Sequence, residues 1–443
     1  MLTLLIVLLT LAIMFVAIIK YDIHPFLALF VGAIGYGLLA GMPGELIIRS
    51  IAEGFGGVLG SIGLLILLGV VIGTFLEKTG GALVIAQKIL SWIGEKSVML
   101  AMMVTGYILS IPVFGDSTFI ILNPINKSLS LKGKIPFAAT TIALSLGVTA
   151  SHSLVPPTPG PIAAAGIIGA DLGMVIFWGL IVSILALVPC FFFAKHFTSR
   201  IKLTPQLAEV EKTTAEKVYP SLGKSFLPII IPLVLIVLAS IANYPTRPFG
   251  ENVFTTVILF VGAPVIALLI GAFLSFTLPA KFDRKLLATT GWVGEALLIA
   301  APVIFITGAG GVFGKMLQNS GIADLVSTNL GDANLGLLLP FLMAFALKTA
   351  QGSSTVALVT TASIVAPLLP VLGLDTETMK IYTVLAIGAG ATSISHANDS
   401  FFWVMTQLSG MNIKQGNQSH SVGTIILAVT AISVLYVISI IFN

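Results

Sequence analysis

The chain has 443 residues, of which 57% are hydrophobic and only 9% are charged. Soluble domains carry roughly 25% charged residues, so this composition excludes an ordinary soluble protein and predicts an integral membrane protein of many helices. The net charge of +4 says little about nucleic acid, because the basic residues lie in loops that flank the membrane, and without a basic-aromatic patch no nucleic-acid partner is expected. The lone cysteine, Cys190, excludes an internal disulfide and a cysteine-built metal site. The chain has no phosphate-binding glycine loop, which argues against an ATP-driven machine.

The apolar segments follow one another along the chain. Residues 1–19 lack a basic start and a small-residue cleavage site, so they are interpreted as a retained transmembrane helix rather than a removable signal. A membrane span needs about 20 residues. The apolar segments lie at about 2–19, 24–40, 57–76, 98–111, 117–131, 137–155, 173–194, 225–242, 253–276, 292–314, 337–350, 353–372, 380–397 and 421–442. They predict an all-α polytopic membrane protein.

Two pairs of these segments are too short, or too interrupted by proline and glycine, to cross the membrane singly. The pairs are 98–111 with 117–131 and 337–350 with 353–372. Each pair is predicted to form a re-entrant hairpin that enters and leaves on one side, at 98–131 and at 337–372. The hairpin tips are expected at residues 111–117 and 349–355.

Positive charges predict the topology. With Lys20, Lys414 and the stretches 78–96, 127–134, 195–224 and 281–285 on one side, that side holds 17 of the 22 Lys and Arg residues. Positive residues mark the cytoplasmic face, so both chain ends are expected outside. Each half, 1–195 and 225–443, then has five crossings and one hairpin. Five is odd, so the second repeat is predicted to be inverted relative to the first, with 196–224 as a cytoplasmic linker.

Each half also contains a span that its own sequence interrupts. The apolar stretch 388–403 carries the polar side chains of Thr392, Ser393, Ser395, His396, Asn398, Asp399 and Ser400. Unpaired polar groups are costly in hydrocarbon, so a broken helix lining a wet cavity is predicted at 380–403. Four prolines within 156–161 forbid a continuous helix, which predicts a second broken helix at 137–161. The alternatives are a helix merely capped by Asp399 or Ser400, and a rigid extracellular turn at the prolines.

The breaks and the hairpin tips supply the candidate substrate-binding residues. Small side chains allow a ligand to approach the backbone, while hydroxyls and amides recognise hydroxyl or carboxylate groups. Small residues also permit close helix packing, which is the structural alternative. The candidates are Asp116, Ser117, Thr118, His152, Thr158, Lys348, Gln351, Gly352, Ser353, Ser354, Thr355, Ser395, His396, Asn398 and Asp399.

The ionisable members of this set are candidates for charge transfer. A lysine at membrane depth is costly and usually faces a cavity or a partner, so Lys348 is expected to bind a substrate carboxylate or to neutralise an acid. Asp116 and Asp399 are the candidate proton carriers, and the sequence does not choose between them. His152 and His396 are candidate proton relays, with a hydrogen-bonded structural role as the alternative for each.

Three stretches resemble signature sequences of the gluconate permease (GntP) family. They are Pro156-Pro-Thr-Pro-Gly-Pro161, Ala350-Gln-Gly-Ser-Ser-Thr-Val-Ala357 and Ser395-His-Ala-Asn-Asp-Ser-Phe-Phe-Trp403, and residues 20–28 are similar too. The resemblance implies proton-coupled uptake of gluconate or a related small hydroxy- or amino-acid anion across a bacterial inner membrane. It also implies a homodimer that works by an elevator-like movement. No cofactor is expected.

One position departs from the family pattern, whereas two others keep the residue type that the pattern expects. Thr158 stands where family members often have histidine, which leaves open a different substrate or coupling. Lys348 stands where a basic residue, often arginine, is usual, and Asp116 fills the acid position of the first tip.

Other functions remain as alternatives to a proton-driven carrier. A channel needs a continuous polar pore, whereas here the polar groups converge on two helix breaks. A membrane enzyme with a Ser–His pair is disfavoured because adjacent residues of a helix do not face each other. Sodium coupling stays open, because unwound carbonyls and hydroxyls also suit Na⁺. A D-serine-like amino acid stays open as the substrate.

Overall fold

The protein is entirely helical over the residues that the computed structural model describes, 2–21, 23–94, 97–203, 218–243, 248–320, 335–396 and 399–442. No strand occurs in those ranges. The first ten helices are α1 (Leu2–Tyr21), α2 (Pro25–Leu39), α3 (Gly44–Val58), α4 (Leu64–Thr79), α5 (Gly81–Ile93), α6 (Val98–Leu109), α7 (Gly115–Gly133), α8 (Phe137–Leu154), α9 (Pro159–Ile168) and α10 (Leu172–His196).

The second half of the chain continues the helical pattern. Its helices are α11 (Leu222–Ala242), α12 (Val253–Val261), α13 (Pro264–Ser275), α14 (Trp292–Asn319), α15 (Leu338–Gln351), α16 (Ser354–Val365), α17 (Glu377–Ala391), α18 (Ser400–Ser409), α19 (Ile413–Gly416) and α20 (Val422–Ile441). Two π-helical stretches, Leu59–Gly63 and Asn417–Ser421, join α3 to α4 and α19 to α20.

The helices are long and apolar enough for a multi-pass membrane protein. Among the described residues, five pass a test of length and composition for crossing a membrane, or up to seven if each of two bent helix pairs counts as one span. Large apolar side chains such as Leu298, Val253 and Ile440 are more than three-quarters exposed, as expected for a surface that faces lipid.

Four interruptions bring helix ends into the interior. Residues 110–114 separate α6 from α7, and Gly352 and Ser353 separate α15 from α16. The third break, 155–158, lies between α8 and α9. The fourth, of which residues 392–396 and 399 are described, lies between α17 and α18. Asp116, predicted to lie in a hairpin tip, therefore lies in the first turn of α7.

Glycines on α4 allow two of these interruptions to approach closely. A Cβ atom on Gly73 would lie 2.2 Å from the carbonyl oxygen of Pro112, and one on Gly69 would lie 3.0 Å from that of Pro157. At Gly73 only a residue without a side chain leaves room for this contact, whereas a side chain at Gly69 would require the neighbouring backbone to shift by a few tenths of an ångström. The glycine pair thus packs α4 against both the 110–114 connection and the 155–158 break.

Several sequence-based boundaries are corrected by the structure. The stretch 78–96, which the sequence analysis placed between two apolar segments, contains helix α5. Four of its apolar residues are buried at helical spacing: Ala82, Ile85, Ala86 and Ile89. Helix α3 precedes the span predicted from residue 57, and its charged residues had concealed its buried face. The span predicted at 253–276 is bent by 66° between α12 and α13, where Pro264 cannot continue the first helix. Most of the 196–224 linker lies outside the described residues.

Candidate functional site

A polar cavity lies where three of the interruptions meet the end of α8. Its volume is about 370 Å³, within the range of small-molecule sites. The residues that line it are Phe114, Gly115, Asp116, Val148, Thr149, His152, Ser153, Lys348, Gly352, Ser353, Ser354, Thr355, Ser395, Asp399, Ser400 and Phe401. Segments far apart in sequence therefore build one site.

Three helices point their amino-terminal ends at this cavity. Gly115 and Asp116 begin α7, Ser354 begins α16 and Ser400 begins α18. The first N–H groups of a helix have no partner within the helix, and the helix dipole places partial positive charge there. Converging helix starts therefore favour a bound anion.

Lys348 and Asp399 form a buried ion pair on the cavity wall. Lys348 Nζ lies 2.6 Å from Asp399 Oδ2, and the two side chains are 3% and 8% exposed. Lys348 also donates to the carbonyl of Gly352, which ends α15 in a left-handed conformation. A buried charge without a partner is strongly destabilising, so each member of the pair makes the other tolerable.

The two carboxylate oxygens of Asp399 have different hydrogen-bond partners. Its Oδ1 accepts a hydrogen bond of 3.0 Å from the N–H of Phe401 and so caps α18. Its Oδ2 accepts from Lys348 and, at 2.5 Å, from the hydroxyl of Ser395. The sequence offered two interpretations of Asp399, a helix cap and a residue of the cavity. Both apply, because Oδ1 caps α18 and Oδ2 binds Lys348.

Asp116 differs from Asp399 in its surroundings. It is partly exposed on the cavity wall in the first turn of α7. No cation among the described residues lies within the 4.0 Å of an ion pair from its carboxylate. The cavity thus contains one acid that is paired with a lysine and one that is not.

The structure brings most of the predicted site residues together, but not all of them. Ser117, Thr118, Thr158 and His396 are not among the described residues that line the cavity. His396 Nε2 lies 2.9 Å from the carbonyl oxygen of Thr349, and the hydroxyl of Thr158 donates to the carbonyl of Val155 at 2.8 Å. Asn398 and the side chain of Gln351 lie outside the described residues.

The two remaining histidines near the cavity have different environments. His152 lines it, and its Nδ1 is buried with no hydrogen-bond partner among the described residues. His420, which the sequence analysis missed, is fully buried beside Ser395. The available signal was a run of polar residues, 417–421, at the start of an otherwise apolar span.

This combination of fold and site defines a polytopic membrane transporter. Broken helices whose ends enclose a polar cavity at membrane depth are the usual architecture of secondary carriers. A solved structure, the YdaH transporter of Alcanivorax borkumensis, has a similar fold, with a TM-score of 0.63, 13% sequence identity, and coverage of 90% of this chain and 89% of that one.

Sequence comparisons identify the family. The chain matches the GntP family permeases over residues 2–441. It is 33% identical to the gluconate permease of Pseudomonas aeruginosa (96% of this chain, 95% of that one). It is 34% identical to the inner membrane permease YgbN of Escherichia coli (93% of each) and 30% identical to the D-serine transporter DsdX of Escherichia coli (98% and 97%). The chain belongs to the GntP permease family. It is a multi-pass permease of the inner membrane and not an enzyme.

Proposed function

We propose that this permease is a secondary active transporter that takes up gluconate or a related small hydroxy-carboxylate together with protons. The observation that carries the proposal is the cavity in which three helix amino termini and Lys348 converge. Helix starts and an ammonium group stabilise a carboxylate, and the names of the relatives include a gluconate permease.

Recognition divides between charge and hydroxyl groups. Lys348 shares its positive charge with the substrate carboxylate, while Ser353, Ser354 and Thr355 at the start of α16 hydrogen-bond the substrate hydroxyls. Asn398, which lies outside the described residues, is proposed as a further contact. Gly352 supports this arrangement because its φ of 89° allows the chain to turn directly into the serine run.

Asp116 is the proposed proton carrier. Protonating Asp399 would leave the buried ammonium of Lys348 without its partner, which is costly. Asp116 has no such partner among the described residues, so it can gain and lose a proton without stranding a cation. His152, on the same wall, is the proposed relay, and His396 is a less direct candidate because its ring faces Thr349.

Uptake by purified protein in liposomes tests this function. We expect saturable uptake of labelled gluconate, accumulation driven by an inward proton gradient, and counterflow. Accumulation that requires a sodium gradient would replace the proton by Na⁺, and uptake without saturation or counterflow would indicate a channel. Catalytic turnover of the anion is not expected.

A zwitterionic amino acid is the second candidate substrate. The carboxylate of Asp116, which forms no ion pair within the described part of the chain, can accept an ammonium group while Lys348 holds the substrate carboxylate. One relative is named as a D-serine transporter. Competition of gluconate and D-serine for uptake decides between the two. Only one of the two compounds, added at a concentration similar to that of the labelled substrate, is expected to reduce its uptake.

We also propose the inverted repeat, the topology and the homodimer. The pairing of a helix interruption and a broken helix in each half supports the repeat. Labelling of single cysteines is expected to reach Lys132 and Glu211 from the cytoplasm and Asp375 from outside. Labelling of positions 132 and 375 from the same side would reject the inverted arrangement, and the mass of the detergent-solubilised particle tests the dimer.

A further inference from the structure

His420 lies between Ser395, which lines the cavity, and Ser145 of α8. It belongs to none of the sequence motifs described above and has no role in the proposed mechanism. It lies in the π-helical stretch Asn417–Ser421 that joins α19 to α20, and it is fully buried. Its ring packs against Phe401 and Phe402 at the start of α18, with ring centroids 5.6 and 6.5 Å away. Buried imidazoles need hydrogen-bond partners, and those of His420 define its role.

The segment around His420 holds every polar atom of Ser395. The N–H of Ser395 donates to the hydroxyl oxygen of Thr424 at 3.3 Å, and its carbonyl accepts from the hydroxyl of Ser421. Its own hydroxyl oxygen lies 3.1 Å from His420 Nε2. Ser395 is thus fixed to α20 and its π-helical entry, although it belongs to the break between α17 and α18.

A continuous chain of hydrogen bonds extends from α8 to the buried ion pair. His420 Nδ1 lies 3.1 Å from the hydroxyl oxygen of Ser145. The hydroxyl of Ser395 donates to Asp399 at 2.5 Å, and the same carboxylate oxygen accepts from Lys348 at 2.6 Å. All five side chains are buried, so water does not compete for these hydrogen bonds.

The donors and acceptors of this chain determine the tautomer of His420. An ionised carboxylate only accepts, so the single hydroxyl hydrogen of Ser395 is committed to Asp399. The oxygen of Ser395 must then accept from His420, which places the ring hydrogen on Nε2. The Nδ1 atom of the neutral ring is then an acceptor and faces the hydroxyl of Ser145, whose hydrogen has a second acceptor in the carbonyl oxygen of Ile142 at 3.0 Å.

We propose that His420 is a positioning residue for substrate binding. It fixes Ser395, whose hydroxyl donates to Oδ2 of Asp399. Because this oxygen accepts hydrogen bonds from both Ser395 and Lys348, it binds the ammonium of Lys348 less tightly than if Lys348 were its only donor. The inference rests on the proposed function, in which Lys348 binds the substrate carboxylate. His420 itself does not touch the substrate, because it is absent from the described residues that line the cavity.

The consequence for transport is a change in affinity rather than in maximum rate. Without His420, the hydroxyl of Ser395 is free to turn away from Asp399. The carboxylate then has Lys348 as its main partner and holds the ammonium more tightly. Loss of one hydrogen bond in such a chain should raise KM about five- to tenfold, with little change in maximum rate, as expected when binding alone is weakened.

Two isosteric amides separate positioning from simple packing. The side-chain nitrogen of glutamine occupies approximately the place of Nε2, whereas that of asparagine occupies the place of Nδ1. His420→Gln should therefore keep the donor to Ser395 and retain a KM near that of the wild type, while His420→Asn should raise it. Equal KM values for the two variants would overturn the proposal. Because burial of a mismatched amide can impair folding, Ser145→Ala serves as a milder variant with an expected intermediate KM.

A double-mutant cycle tests whether His420 acts through Ser395. In a Ser395→Ala background, His420→Asn should cause no further rise in KM, because the contact it weakens is already gone. Additive effects of the two substitutions would show that His420 acts by another route, and would reject the positioning role.

The tautomer provides a test that does not depend on transport. ¹⁵N NMR of the purified, labelled protein should show one histidine signal of the Nε2–H tautomer that disappears in His420→Gln. An Nδ1–H tautomer for that residue would contradict the hydrogen-bond chain. Absence of uptake of any tested anion by the wild type would instead reject the proposed function, so the two failures are distinguishable.

Discussion

The two broken helices of this permease are stabilised by different kinds of interaction. In the break between α8 and α9, Val155, Pro156, Pro157 and Thr158 are all buried, and the hydroxyl of Thr158 closes the turn on the carbonyl three residues earlier. The break between α17 and α18 is instead stabilised by hydrogen bonds to residues far away in the sequence. Its polar atoms bond to Lys348, 51 residues from Asp399, and to the segment that begins α20.

This difference indicates that the two breaks have different roles. The prolines of the first break cannot continue a helix, so the interruption there follows from the local backbone itself. The second break exposes charged and hydroxyl groups that must be satisfied by distant residues, and it is the one that lines the cavity with Ser395 and Asp399. We therefore expect substitutions at the second break to affect transport strongly and those at the first to affect mainly stability.

The largest effect is expected at the buried ion pair. Lys348→Met leaves Asp399 buried without its cation, which should lower stability by about 3–5 kcal/mol and abolish uptake. Thermal unfolding in detergent and uptake in liposomes measure the two effects. Lys380→Met, which removes a lysine paired with Glu377 at a helix start, is the control and should change stability little. A Lys348→Met protein with wild-type stability and uptake would contradict the assigned role of the pair.

The second prediction separates the two acids. Asp116→Asn should lose accumulation driven by a pH gradient and keep exchange of labelled for unlabelled substrate, because exchange moves no net proton. Asp171→Asn, at the cap of α10, is the matched control, since asparagine also caps helices. Uphill accumulation by Asp116→Asn would leave Asp399, a histidine or Na⁺ as the coupling group.

The third prediction concerns the start of α16. Ser354→Ala should weaken substrate affinity about ten- to a hundredfold, as expected for a hydrogen bond to a charged ligand. Ser433→Ala removes an exposed serine of α20 whose hydroxyl donates to the carbonyl of Val429 in the same helix, and it should leave KM unchanged. Wild-type affinity in Ser354→Ala would remove this hydroxyl from the site.

The smallest effect is expected at the first break. Thr158→Ala removes the turn-closing hydrogen bond and should cost about 1 kcal/mol of stability, with KM unchanged, because Thr158 is absent from the residues that line the main cavity. Denaturation and uptake measured side by side test this. A large rise in KM would show that both breaks contact the substrate, and the comparison between them would fail.

Much of the fold followed from local sequence. Composition placed the chain in a membrane, and the prolines at 156–161 and the polar run at 388–403 predicted interruptions where α8 and α17 end. These features are local, because proline and unpaired polar groups act on the backbone within a few residues. Local pattern was less useful for α3, where charged residues concealed an amphipathic helix, and for α5, whose 13 residues are fewer than a membrane span needs.

The ion-pair and hydrogen-bond partners within the site depended on tertiary structure. The sequence predicted that Lys348 binds a substrate carboxylate or neutralises an acid. It could not choose between Asp116 and Asp399 as the proton carrier, because that choice depends on their distances to Lys348, and these segments meet only in the folded protein. His420 was missed for the same reason: a histidine in a polar run has no evident partner until α8 and the second break lie on either side of it. Membrane embedding and helix breaks are properties of short stretches of chain, whereas pairing of buried charges is decided by the packing that removes water from around them.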